Sequence, residues 1–120
     1  MGYEVKGTRS YAKPAAAVAA AAAEVLAALG GKAAKTSRPA DGHLEAIFNK
    51  EVAGKAFMNR CQLVLDVAAS GEQASLSAGC WPIDPIGKKL LFGVMGEPAK
   101  LVLDTFLARL DAALGQTAGA

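Results

Sequence analysis

Hydrophobic and polar positions follow two different periods along this chain. Two segments, Pro14–Leu29 and Pro98–Leu114, repeat their apolar residues at helical spacing. The apolar stripe of the closing segment consists of Val102, Leu103, Phe106, Leu107, Leu110 and Leu114. Proline suits the first turn of a helix, and Gly30 is typical of a helix end. The pattern predicts two amphipathic helices, and the polar side of the closing helix is expected to carry Lys100, Asp104, Arg109 and Asp111.

The middle of the chain alternates with a period of two, which is typical of half-buried antiparallel strands. Strands are predicted at Tyr3–Tyr11, Lys32–Arg38, His43–Asn49, Asn59–Ala69 and Ala74–Trp81. Turn-forming residues separate them, as in Pro39-Ala40-Asp41-Gly42 and Ser70-Gly71-Glu72. Lys50–Met58 shows no clean period. Pro82–Glu97 is long and apolar, which indicates either a functional loop or a short element within it.

The predicted order is β-α-β-β-β-β-α, and the fold class is α+β. Each helix has one apolar stripe to bury, so the economical arrangement is a single antiparallel sheet of four to five strands with both long helices on one face. The chain 1–120 is expected to form a single domain, with a frayed tail at 115–120.

The element order, a helix that ends in Leu29-Gly30-Gly31, and an Asp41-Gly42 turn into an apolar strand together resemble small bacterial helix-grip or TBP-like domains. The region near Pro14 and the long closing helix also look similar to ligand-binding helix-grip proteins of the Bet v 1/START type, which are normally longer and curl more strands around a cavity. The resemblance implies a binding or scaffolding role. It carries no catalytic residue over to this chain.

Length and composition exclude several classes of function. The 120 residues, 52% of them hydrophobic, suit one ordered domain with its own core. A formal charge of +2 without a clustered basic patch argues against nucleic acid or an anionic membrane as partner. Glu24 interrupts the Ala-rich run, so that run predicts neither a signal peptide nor a spanning helix. A cytoplasmic protein is expected.

The two cysteines and the single histidine suggest little chemistry. Cys61 and Cys80 are predicted on the same face of adjacent strands, where a disulfide is geometrically possible, although two buried thiols are the expectation in a cytoplasmic chain. Zinc would need more ligands than these thiols and His43 provide. His43 follows a tight turn and has no nucleophile motif near it, which favours an exposed turn histidine over a catalytic base. No cofactor and no metal site is predicted.

One group of candidate site residues surrounds the loop after Trp81. Asp84 stands between Pro82 and Pro85. An aromatic ring beside a fixed carboxylate could form the lip of a ligand site, with Lys88, Lys89 or Arg60 as partners. Alternatively, Asp84 caps backbone N–H groups of its own turn.

The second group lies on the sheet face away from the helices. Leu44, Phe48, Leu63, Leu65 and Leu76 are predicted to point toward the helices. The outer face then presents Ile47, Val64 and Trp81 among mostly polar neighbours, such as Glu45 and Ser77. A polar face with a few large apolar residues is typical of a partial interface, but scattered exposed hydrophobic residues are also common.

Two classes of function follow from these observations. The favoured one is a binding or scaffolding module that uses either a pocket between the closing helix and the sheet or the outer sheet face. Its partner is then a small apolar ligand, a second copy of the chain or another protein, with Trp81 as the aromatic anchor. The alternatives are a purely structural dimerising subunit and a small enzyme that draws acid and base groups from His43, Arg60, Asp84 or Glu97.

Overall fold

A computed structural model describes residues 4–90 and 97–115 of the chain. The elements follow in the order β1 (Val5–Tyr11), α1 (Ala15–Ala28), β2 (Lys32–Ala33), β3 (His43–Phe48), β4 (Glu51–Val52), β5 (Lys55–Ala56), β6 (Arg60–Ser70), β7 (Gln73–Ile83) and α2 (Pro98–Ala113). A 3-10 turn, Pro39–Asp41, precedes β3. The strands form an antiparallel five-stranded sheet in the order β1-β7-β6-β3-β2 and a separate β4-β5 hairpin.

Both helices pack on the same face of the five-stranded sheet and against each other. Their apolar stripes close over the inward residues of β3, β6 and β7, which include Leu44, Phe48, Leu63, Leu65 and Leu76, all at most 2% exposed. The predicted α+β class, single antiparallel sheet and one-sided helices are therefore confirmed. Tyr3, which the pattern also placed inward, lies outside the described residues, as do 91–96 of the predicted loop and 116–120 of the predicted tail.

Two predicted element boundaries were wrong. The strand expected over Lys32–Arg38 leaves the sheet after Ala33, because a turn closed by the Ser37 N–H on the Ala34 carbonyl redirects the chain. The strand expected to end at Trp81 continues to Ile83, which is 2% exposed, so the following loop begins later than predicted.

The stretch Lys50–Met58, which shows no clean period, contains the β4-β5 hairpin. Its two-residue turn is Ala53-Gly54, and both residues have positive φ angles of 50° and 82°, as a tight hairpin turn requires. Val52 is fully buried, and the Ala53 N–H donates to the Leu29 carbonyl at 3.2 Å. The hairpin is thereby fastened to the end of α1.

Close packing of α2 against β1 depends on Gly7. A Cβ atom at this position would lie 3.0 Å from Leu107 Cδ1, tighter than most real contacts. Phe106, Val102 and Leu110 are all fully buried beneath the helix. Helix α2 therefore fills the space between itself and the sheet with its own side chains.

Candidate functional site

The space between the closing helix and the sheet is occupied by side chains of α2, of which Val102, Phe106 and Leu110 have no exposed surface. The clefts on the described surface include four of about 560, 270, 250 and 150 Å³, none of which has a wall residue from α2. The largest lies between the end of α1 and the β4-β5 hairpin, and Glu51 is its only charged wall residue. A helix-side pocket was one of two predicted binding places, and the packing of Phe106 leaves the other as the stronger candidate.

A buried polar cluster joins β1 to α2. Asp111 is 2% exposed and accepts hydrogen bonds from the Tyr11 hydroxyl at 2.7 Å and the Arg9 Nε at 3.2 Å. Burial and the hydrogen bond to Asp111 raise the pKa of the Tyr11 phenol. The prediction that Asp111 faces solvent was therefore wrong. The helical pattern places Asp111 beside its polar neighbours, whereas the partners on β1 draw the carboxylate inward. The cluster connects the closing helix to β1 by two side-chain hydrogen bonds.

The outer face of the sheet is organised in three rows that run across the strands. Strand register sets each row, since residues paired across neighbouring strands lie side by side on one face. The histidine row is Thr8, Ser77, Asp66 and His43. The glycine row is Lys6, Gly79, Val64 and Glu45. The tryptophan row is Trp81, Gln62, Ile47 and Lys32.

Gly79 and Val64 of the glycine row form the floor of a shallow cleft of about 270 Å³. Gly79 of β7 has no side chain, while the neighbouring Val64 of β6 projects from the face and is half-buried. Trp81, Asp66 and Lys6 contribute to the walls. The cleft thus combines an apolar floor with charged walls of both signs.

Trp81 is held in place by charged neighbours. The Lys89 ammonium lies 4.4 Å from the centroid of the indole ring, within the range of a cation–π contact. Lys89 Nζ also donates to Glu4 Oε1 at 2.7 Å, and Lys6 Nζ lies 4.0 Å from Glu4 Oε2. The side chain of Lys6 is 79% exposed, so its ammonium is accessible to solvent at the edge of the face.

At the other side of the face, His43 lies between two carboxylates. Its Nδ1 is 2.7 Å from Asp66 Oδ1, and its Nε2 is 2.6 Å from Glu45 Oε2. The bonds to Asp66 and then to Glu45 raise the pKa of the imidazole above its usual 6.5. Partial burial works against ionisation of Glu45, but the bonds from His43 and Thr36 hold the pKa of its carboxyl below the usual value.

Glu45 is the best-connected residue of this network. Gln62 Nε2 donates to Glu45 Oε1 at 2.8 Å, and the Glu45 backbone N–H donates to Ser37 Oγ at 3.2 Å. These bonds fix the carboxylate on the face. The arrangement orders the acidic side of the sheet and places no nucleophile beside His43.

Asp84, Arg60 and Lys88 meet at the far end of β6 and β7, apart from the His43 network. Asp84 Oδ1 accepts the backbone N–H groups of Ile86 at 2.8 Å and Lys88 at 2.9 Å, which is the turn-capping role weighed as the alternative to a ligand site. The bond from Lys88 is the main reason that the pKa of the Asp84 carboxyl is lowered. Arg60 donates to the Asp84 carbonyl at 2.9 Å, and both residues line the cleft of about 250 Å³ together with Met58.

Cys61 and Cys80 are unbridged thiols with no exposed surface. They are diagonal rather than opposite, since Cys80 pairs with Leu63 and Cys61 with Pro82. The hydrogen bond with Cys61, followed by burial, raises the pKa of the Cys80 thiol. Such thiols behave as small apolar core residues. Over 4–90 and 97–115, no group of three or more His, Cys, Asp or Glu side chains is placed to hold a metal ion.

The six predicted site residues therefore separate into two places. Val64, Ile47 and Trp81 share the outer face as expected, whereas Arg60, Asp84 and Lys88 belong to the loop end. Sequence reasoning missed the Glu45 network and the hollow at Gly79. The signal for the hollow was present, because a glycine inside an alternating strand removes one side chain from a known face.

No protein-family model matches the sequence, and no curated protein matches it significantly. Several solved structures are similar to it, including the following two. DynU16, a protein of the dynemicin biosynthetic locus, gives a TM-score of 0.47 at 16% identity over 96% of this chain and 48% of its own. TTHA0849 from Thermus thermophilus gives a TM-score of 0.47 at 13% identity over 92% of this chain and 96% of its own. The chain thus spans about half the length of DynU16. Neither described helix is both long and apolar enough to cross a membrane.

Proposed function

We propose that this protein is a binding module that docks other protein surfaces on the outer face of its sheet. The observation that carries the proposal is the contrast at Val64 and Trp81. These large apolar side chains remain half-buried at the surface around a cleft, whereas the apolar residues on the helix side of the same strands, such as Leu63, Leu65 and Cys80, have no exposed surface. Apolar residues inside a polar rim are the usual composition of a protein interface.

The electrostatic character of the face supports the same conclusion. Its rim carries ammonium groups at Lys6 and Lys89 on one side and carboxylates at Glu45 and Asp66 on the other. Charged rims of mixed sign steer and orient a macromolecular partner. A shallow cleft with this rim suits a protein surface better than a small apolar ligand, which prefers a concave enclosed site.

The alternative of a small enzyme gains no support from geometry. His43 faces Asp66 of β6, whereas Asp84 follows Ile83, which pairs with Arg60. Six residues of extended strand separate Arg60 from Asp66, which amounts to about 20 Å. His43 and Asp84 therefore lie beside positions of β6 that are about 20 Å apart.

The single tryptophan provides a direct test. Labelling with 5-fluorotryptophan places one ¹⁹F nucleus on the outer face, and its resonance can be recorded in dilute protein, in concentrated protein and in an extract of the host cells. We expect the resonance to shift or broaden when the face becomes covered. Covering should fail in Val64→Glu, which puts a charge on the cleft floor while leaving the core intact.

Two results would contradict the proposal. One is a resonance that stays unchanged under all three conditions. The other is a shift that persists in Val64→Glu at full strength, since the label would then report an event elsewhere. Labelling with fluorophenylalanine provides the internal control, because two of the four phenylalanines, Phe48 and Phe106, are fully buried and their resonances should not respond.

A further inference from the structure

We infer that the surface docked on the outer face is a second copy of this chain, related by a two-fold axis that runs parallel to the strands between β6 and β7. The inference rests on the proposed function and adds the identity of the partner and its register. Homodimers with two-fold symmetry bury the same patch on both subunits, so the patch must complement itself. The three rows of the outer face meet this condition.

The symmetry operation decides which side chains meet. A two-fold axis parallel to the strands keeps every row at its own level and exchanges the two halves of the sheet. Residues of β7 then face residues of β6 in the second copy, and β1 faces β3. The pairs follow from the observed register as Gly79 with Val64, Ser77 with Asp66, Lys6 with Glu45, and Trp81 with Gln62.

Steric fit is best at the centre of the face. A Cβ atom at Gly79 would meet nothing closer than Glu4 Oε2 and Trp81 Cζ3, both at 3.5 Å, and the residue has no positive φ angle. Folding of the single chain therefore does not require glycine there. The missing side chain leaves a hollow on β7 beside the projecting Val64 of β6. The axis places the valine of each copy over the hollow of the other.

Polar groups also meet suitable partners in this register. The Ser77 hydroxyl faces Asp66, a carboxylate whose side chain is 66% exposed and which can accept a further hydrogen bond. The Trp81 ring faces the flat amide of Gln62, which is already oriented by Glu45. Each of these pairs occurs twice because of the symmetry.

Charge distinguishes this axis from the other face-to-face arrangement. The β1 half of the face carries Lys6 and Lys89 with Glu4, whereas the β3 half carries Glu45 and Asp66 around His43, with Lys32 at the outer edge beside Ile47. A two-fold axis perpendicular to the strands, lying between the two sheets, would instead place each half of the face against the same half of the second copy. The carboxylates of Glu45 and Asp66 would then face the same carboxylates of the other copy. The axis parallel to the strands places the ammonium of Lys6 against the carboxylate of Glu45.

The size of the face suits a dimer at the small end of specific interfaces. Strands β1, β7, β6 and β3 have 7, 11, 11 and 6 residues, which at about 3.4 Å per residue and about 4.8 Å between strands give a face of roughly 570 Å². Specific interfaces bury about 800 Å² per partner in the standard case and less than about 600 Å² at the low end. Two sheets that pack face to face in this way lie about 10 Å apart.

A charge exchange tests the register. Within one chain, Lys6 and Glu45 are three strand spacings apart, about 14 Å, so a direct ion pair between them requires a second copy. We expect sedimentation equilibrium between about 1 and 100 µM to show a dimer for the wild type. Lys6→Glu and Glu45→Lys should each raise Kd by roughly ten- to a hundredfold, because every reversal acts twice. The double variant should return Kd to near the wild-type value.

Matched controls are Lys55→Glu in the β4-β5 hairpin and Glu72→Lys in the β6-β7 turn, which are exposed and off the face. Both should leave Kd unchanged. Gly79→Leu is a second variant that fills the hollow, and it should raise Kd at least tenfold while thermal unfolding of the diluted chain stays cooperative. Trp81→Ala should also weaken association.

The outcomes separate the register, the partner and the proposed function. One outcome is a wild-type dimer that Gly79→Leu disrupts, while the double charge variant does not restore Kd. This outcome would overturn the register and leave the outer face as the docking surface. A monomer at all concentrations would overturn the second copy as partner. If the ¹⁹F resonance of Trp81 then still shifts in cell extract, the proposed function survives, and if it does not, both fail.

Discussion

The same strands form both faces of the central sheet, but the two faces differ in burial and composition. On the inner face, Phe106 and Leu63 have no exposed surface, and apolar contacts continue without interruption from β3 to α2. On the outer face, Val64 and Trp81 alternate with charged and hydroxyl side chains, and Gly79 leaves a hollow. The inner face is mostly buried apolar surface, whereas the outer face keeps partly exposed apolar side chains beside paired charges. Alternation in a strand therefore separates the core residues from the residues of the proposed docking face.

The largest loss of stability is expected for a substitution on the inner face. Phe106→Ala removes a fully buried ring and should cost about 3–5 kcal/mol in the free energy of unfolding, because α2 cannot collapse into the cavity. Urea unfolding measures this loss. Trp81→Ala is the matched aromatic change on the outer face, and it should cost clearly less when both are measured below the association range. Equal costs would remove the distinction between the faces.

The buried cluster under α2 should show the next largest effect. Tyr11→Phe removes the hydroxyl that donates to Asp111 at 2.7 Å and should cost about 1–3 kcal/mol, since it leaves a buried carboxylate oxygen without that partner. A double-mutant cycle with Asp111→Asn measures the coupling in urea unfolding. Costs that simply add would show that the two groups do not depend on each other.

The outer face should respond to pH through His43. Its folded pKa is raised above 6.5, so the charged imidazole stabilises the fold fully below the unfolded pKa, and that contribution is lost as the pH rises through the folded pKa. The difference in Tm between wild type and His43→Gln should therefore be largest near pH 5.5, about one unit below the usual histidine pKa, and shrink at alkaline pH. A difference that grows with pH would have the wrong sign for this arrangement.

The smallest predicted effect concerns the contact over Trp81. Lys89→Met removes the ammonium 4.4 Å from the ring and its bond to Glu4, which should cost about 0.5–1 kcal/mol. The emission of the only tryptophan should change in the same variant. Lys88→Met is the matched control, since Lys88 is exposed and its side chain has no place in that contact. Identical emission changes in both variants would contradict the assignment.

Periodicity was sufficient to predict the fold class, both helices and the inward residues of β3, β6 and β7. It failed where structure depends on contacts distant in sequence. Asp111 looks like a solvent residue on its helix, and only its partners on β1, Tyr11 above all, make a buried carboxylate tolerable. The β4-β5 hairpin has strands of two residues each, too short for any period to show.

For the candidate site, alternation could predict only which residues share a face, and their role stays a prediction. Alternation placed Ile47, Val64 and Trp81 on one face, because a strand assigns faces by parity alone. The association of His43 with Asp66 requires the register between β3 and β6, which the sequence of one strand does not contain. Asp84 illustrates the opposite case, since its turn-capping role is local and follows from its neighbours.

The position of β1 beside β7 has a consequence for the synthesis of the chain. Strand β1 is made first, yet its partner β7 comes more than 60 residues later, and Tyr11 meets Asp111 after a separation of 100 residues. At about 10 residues per second, roughly 10 s pass between the synthesis of β1 and the synthesis of α2, the helix that packs against it. Strands β3, β6 and β7 are contiguous enough to pair earlier. We expect the nascent protein to expose the part of the inner face that α2 covers, since α1 is made before the sheet and the 30 residues from Ile83 to Ala113 take roughly 3 s at the same rate.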